Sequence, residues 1–182
     1  MILIALSGTE AQAASVPPQE LERLEYFLGT WRCRQPADSN DPSSMFTWKV
    51  ELGLNDFWYL GNAKQAQSTN NKQPINSQEF MGYDVAANEL IRSVVVGNGN
   101  SYQMTASDWS TVSHANKNTG LTLTSANKQL VWSGTLIRDG ESTPLRQEIT
   151  QNSPNKFTAT YFVSTKKQQW IPVVDEICER QK

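Results

Sequence analysis

Residues 46–60 run Phe46-Thr47-Trp48-Lys49-Val50-Glu51-Leu52-Gly53-Leu54-Asn55-Asp56-Phe57-Trp58-Tyr59-Leu60. Up to Leu52, apolar and polar residues alternate strictly, the period-two pattern of a strand with one face buried. Gly53 to Asp56 is a turn, and the aromatic run from Phe57 to Leu60 begins the return. The same pattern recurs along the chain. Runs rich in Thr, Val, Trp, Tyr and Phe predict strands at 78–84, 89–96, 101–107, 129–138, 143–151, 156–163 and 168–178, with a weaker one at 121–125. Turns fall at Asp84 to Asn88, Gly97-Asn98-Gly99-Asn100, Asp139-Gly140 and Asn152-Ser153-Pro154-Asn155, while 36–44, 68–76 and 108–118 read as polar loops. About ten strands at hairpin spacing predict an antiparallel up-and-down meander. An open sheet of that size leaves two unpaired edges, so the expected all-β architecture is a closed barrel.

One helix precedes the strands. Pro17-Pro18 opens it, Leu21, Leu24 and Leu28 recur on one face, and Glu20, Glu22, Arg23 and Glu25 lie mostly opposite, with Gly29 as the stop. So short a helix is not stable alone and is expected to cover one barrel end. Residues 1–14 stand apart. Met1 to Leu6 is apolar and Ala11-Gln12-Ala13 places small residues at alternate positions, as a secretory cleavage site requires. This stretch is expected to be the remnant of a signal peptide whose true start lies upstream, or else a disordered tail. Residues 15–182 then form a single domain.

The 182 residues carry 16 Lys+Arg against 18 Asp+Glu, a net charge of −2, which argues against sequence-independent nucleic-acid binding. No apolar run approaches the ~20 residues of a membrane span. There are two cysteines, Cys33 and Cys178. In an exported chain they are expected to form a disulfide, since the first and last strands of a closed meander are neighbours; the expected Cα separation is about 4.4–6.8 Å. The alternative is two buried thiols that never meet. Two sulfurs without His or Cys companions make a poor metal site, and no cofactor is called for.

Several motifs sharpen the fold. Gly29-Thr30-Trp31 follows the helix, then come Asn55-Asp56-Phe57-Trp58, Met81-Gly82-Tyr83-Asp84, Trp132-Ser133-Gly134, and Trp170 with Cys178 near the end. This set, in this order, resembles the bacterial lipocalin-like family catalogued as domain of unknown function 1579, over about Leu21 to Arg180. The resemblance implies a lipocalin-like barrel whose bottom is closed by Trp31, and no established chemistry. A neighbouring group, the haem-binding nitrobindin-like proteins, shares the Gly-Thr-Trp opening but needs a histidine near the last strands. Here the only histidine is His114, in a polar loop; Tyr161 or Met104 would be the remaining iron ligands.

The chemistry-bearing residues offer little catalysis. Asp84 begins a turn and is expected to accept from turn amides. Asp175 and Glu176 are adjacent in a strand and face opposite ways. Asp108, Ser113 and His114 hold the residue types of a hydrolase triad, but without a nucleophile elbow. Lys166-Lys167 reads as a solvated turn tip. The aromatic residues are more informative: Trp48, Trp58, Phe80, Tyr102, Met104, Trp132, Phe157 and Tyr161 are the candidate lumen-facing, ligand-binding set. Arg92 is expected outside; facing inward, it would be a partner for an anionic head group. Three functions follow. The first is an exported, periplasmic or secreted binder of a small apolar or aromatic molecule, entered between the loops at Gly97–Asn100 and Asp108–Asn118. The others are a filled barrel acting through surface contacts with a protein partner of unknown kind, and an enzyme with an unidentified lumen site.

Overall fold

A computed structural model describes residues 16–36, 45–67, 73–113, 126–165 and 168–182. A 3₁₀ helix, Gln19–Phe27, leads into β1 (Gly29–Arg34), β2 (Met45–Gly53), β3 (Trp58–Gln65), β4 (Asn76–Asp84), β5 (Glu89–Val96) and β6 (Ser101–Ala106). Then follow β7 (Ser110–Ser113), β8 (Ala126–Arg138), β9 (Glu141–Ser153), β10 (Lys156–Ser164) and β11 (Trp170–Arg180). Consecutive strands up to β6, and from β7 onwards, pair antiparallel; β1 pairs with β11, and β6 closes on β8. β6 and β7 are two segments of one interrupted strand, since both lie against β8. The result is a closed ten-stranded antiparallel barrel, as the alternation predicts.

Three elements depart from the sequence-based reading. β3 continues past Leu60 to Gln65, because its small inward residues Gly61 and Ala63 lie beside the bulky Trp48. Ser110–Ser113 is a strand and not loop, paired with Ala126 to Gln129. The proposed strand at 121–125, His114, Lys166-Lys167 and residues 1–14 lie outside the described residues. The helix has a three-residue period, so Leu21, Leu24 and Phe27 form its buried face while Leu28 is only half-buried.

That helix seals one barrel end. Its backbone carbonyls, which a helix terminus leaves open, are met by barrel side chains. Trp109 Nε1 donates to Arg23 O (2.7 Å), Trp31 Nε1 to Phe27 O (2.8 Å), and the Arg180 guanidinium to Tyr26 O (2.7 Å) and to Leu28 O. The Tyr26 hydroxyl donates to Ser153 O (2.8 Å). Trp31 is fully buried, with Arg180 lying 4.2 Å over its ring and Phe157 edge-on at 4.9 Å, so it closes the barrel bottom as expected. Gly29, at φ +105°, makes the bend that turns the chain from helix to strand. The other seam, where β8 meets β6, depends on Gly134: a Cβ there would stand 1.9 Å from Gln103 O.

Cys33 and Cys178 pair directly across the β1–β11 seam and form a buried disulfide. Their Cα atoms are 4.0 Å apart, just below the expected range; they are direct partners in one ladder, where the closer pairs stand about 4.5 Å apart.

Candidate functional site

The barrel interior has two halves. Beside the helix, Leu24, Phe27, Trp31, Met81, Leu90, Leu130 and Trp132 pack solid. At the opposite end the lumen opens into a cavity of about 410 Å³. Its rim includes Gln65, Val96, Asn98, Asn100, Arg138 and Val173; its walls include Phe46, Trp48, Tyr102, Met104, Leu145 and Tyr161.

Five of the eight candidate lumen residues line this cavity: Trp48, Tyr102, Met104, Phe157 and Tyr161. Trp132 points inward but lies beneath the cavity, fully buried. Trp58 and Phe80 are corrections, because both face outward. In β3 the buried face is Tyr59 and Gly61, and in β4 it is Glu79 and Met81, leaving Phe80 39% exposed and the Trp58 ring over Gly82 on the outer wall. Aromatic bulk was a misleading guide to parity in strands whose inner faces carry small, sulfur and charged residues. The mouth is also half corrected. Asn98 and Asn100 stand on the rim, but Asp108 and Trp109 are bound to the helix at the sealed end: Arg23 reaches Asp108 (3.7 Å), and the Trp109 ring stacks on Phe27.

Arg92 is the largest departure, since it faces inward between Leu90 and Val94. Its Nη2 and Nε donate to Glu79 Oε2 at 2.7 and 3.2 Å, and its Nη1 donates to Gln147 Oε1. All three side chains are buried. Below them lies the Trp132 ring, its centroid 5.8 Å from the guanidinium carbon. Burial alone would lower the Arg92 pKa, but Glu79, Tyr161 and Glu176 together more than offset this and raise it. Glu176 reaches the same cavity from β11, while Asp175 points outside and accepts from Thr160 Oγ1 (2.7 Å). Burial pushes the Glu176 carboxyl up to about 7, with Arg92 opposing and Glu79 adding to the rise. Burial likewise raises the Tyr161 hydroxyl well above its usual value, with Glu176 reinforcing it.

Sequence reading missed Glu79, Gln147 and the inward Arg92. Glu79 and Arg92 sit on strands where both faces carry apolar or mixed residues, whereas Gln147 shares the face of Leu145 and Ile149, opposite Arg146 and Glu148. For Glu79 a signal was present, because Met81 and Tyr83 share its face. The Asp84 expectation holds: its Oδ1 accepts from the amides of Ala86 and Ala87.

No family model and no curated protein matches the sequence. Solved structures do match, among them the crystal structure of Rv2717c from M. tuberculosis, with a TM-score of 0.61 and 10% identity over 92% of this chain and all of that one. At that identity the likeness concerns the fold alone, a closed antiparallel β-barrel.

Proposed function

We propose that this chain holds a small, largely apolar or aromatic molecule in the open half of its lumen. One observation carries the reading: a cavity of about 410 Å³, walled by aromatic and aliphatic side chains with a few fixed polar groups, which matches the usual make-up of small-molecule sites. Rings such as Trp48 and Tyr102 favour flat or greasy ligands through area burial and stacking, and Met104 adds adaptability. Entry is across the rim at Asn98 and Asn100, away from the helix. The disulfide supports an oxidising compartment, and with the N-terminal pattern it favours export. The ordered motif set supports membership of the family catalogued as domain of unknown function 1579.

Native mass spectrometry of protein purified from its own source tests the reading. The expected result is one small molecule retained per chain and released on unfolding. A bare chain, together with no saturable uptake of a neutral apolar dye, would overturn it. A second reading, contact through the outer wall, is favoured by a shallow hollow lined by Leu54, Trp58, Phe80 and Ser93. There Phe80→Ser would weaken association with a partner and leave lumen binding intact.

A further inference from the structure

The polar groups of the lumen are unevenly matched. Arg92, its only buried cation among the described residues, is already held by Glu79 Oε2 and Gln147 Oε1. The acceptors are not used up. Glu79 Oε1 is buried without a hydrogen-bond partner, and it borders the space left by Gly61, where an added Cβ would stand 2.8 Å from it and 2.8 Å from Trp48 Nε1. The Glu176 carboxyl makes no hydrogen bond to a described residue and lines the cavity. With Glu176 ionised, the two carboxylates and one guanidinium leave the interior one negative charge in excess. An anionic head group would therefore meet a guanidinium that is already paired and two carboxylates that repel it. The aromatic residues Trp48, Tyr102, Tyr161 and Phe157 also line this cavity, and aromatic rings favour a cation over an anion.

Resting on the lumen reading above, we infer that the cavity selects ligands with a positively charged nitrogen head bearing N–H donors, an ammonium or amidinium on an apolar body, seated between Glu176 and Glu79. A buried carboxylate without a donor is costly, and a charge-assisted hydrogen bond from such a head supplies one. The polar and aromatic groups that line the cavity with Glu176 include Trp48 on β2, Glu79 on β4, Arg92 on β5, Tyr102 on β6, Gln147 on β9 and Tyr161 on β10. Arg138 stands at the rim, exposed and beside Asp139. Since the Glu176 carboxyl titrates about 7, the preference for a cation strengthens as pH rises through that value.

The test is displacement of the neutral dye N-phenylnaphthylamine by three probes sharing one tail: decylamine, decanol and decanoate. At pH 8 decylamine should displace the dye at roughly tenfold lower concentration than decanol, the ratio one charge-assisted hydrogen bond provides, with decanoate weakest. Glu176→Gln should bring decylamine to the level of decanol. Lowering the pH to 5.5 should do the same in the unaltered protein. Dye uptake with decanol or decanoate equal to or better than decylamine overturns the inference and leaves the lumen reading standing. Absence of any dye uptake overturns both.

Discussion

Glu176 is the residue at which stability and site chemistry meet. Its carboxyl titrates about 7 in the folded chain against 4.5 when unperturbed, so the folded state holds the proton more tightly than the unfolded state does. Its contribution is therefore fully present below about pH 4.5, is lost as pH rises to about 7, and is flat beyond. Glu176→Gln removes this dependence. The stability difference between variant and parent should grow from near zero at pH 4.5 to on the order of 3 kcal/mol above pH 7, in favour of the variant. Thermal unfolding at a series of pH values checks it, and parallel curves would refute it. That Glu176 and Asp175 face opposite ways was legible in the sequence, because adjacent strand residues alternate, but not which of the two faces inward. The orientation of Arg92 was not legible at all. Ile91, Ser93 and Val95 are no less apolar than Leu90, Arg92 and Val94, so alternation alone leaves the parity of 89–96 undecided, and the partner that makes burial tolerable, Glu79, comes from another strand.

The short helix and the β6–β8 seam show how elements with weak intrinsic order become fixed. A nine-residue 3₁₀ helix has little stability of its own, and here Leu21, Leu24 and Phe27 anchor it while barrel side chains occupy its carbonyls. Trp31→Ala would open a cavity beneath it and uncap Phe27 O, at a cost of about 3–5 kcal/mol measurable by urea denaturation. Trp31→Phe should recover part of that cost, because Phe157 and Arg180 retain a ring to pack on. Gly134→Ala would push a methyl group into the backbone of β6, and should lower the melting temperature more than an alanine at any exposed strand position. The helix and most strands were visible from periodicity and turn residues. The tail of β3 was not, because Gly61-Asn62-Ala63-Lys64-Gln65 has no strand-favouring residue and owes its conformation to pairing with β2 and β4. The Leu21, Leu24, Leu28 spacing predicts an α-helix and leaves Phe27 off its buried face, whereas the three-residue turn brings Phe27 into line.

At the scale of the whole molecule, the barrel is sealed by packing at one end, kept open at the other, and clasped by a disulfide where the first and last strands meet. That bond closes a loop with a sequence separation of 145, and its loss should cost about 4–5 kcal/mol by chain entropy. Urea midpoints of the parent and of the Cys33→Ser, Cys178→Ser double variant would show the difference, and reductant should lower only the parent. The central claim is that the open half accepts a molecule. It is tested most directly by titrating N-phenylnaphthylamine into the parent and into Ala63→Trp, whose indole would occupy the cavity beside Trp48. The account predicts saturable uptake of one dye per chain with quenching of Trp emission in the parent, and loss of uptake in the variant at an unchanged far-ultraviolet spectrum. Equal uptake by both proteins, or none by the parent at high micromolar dye, would contradict it.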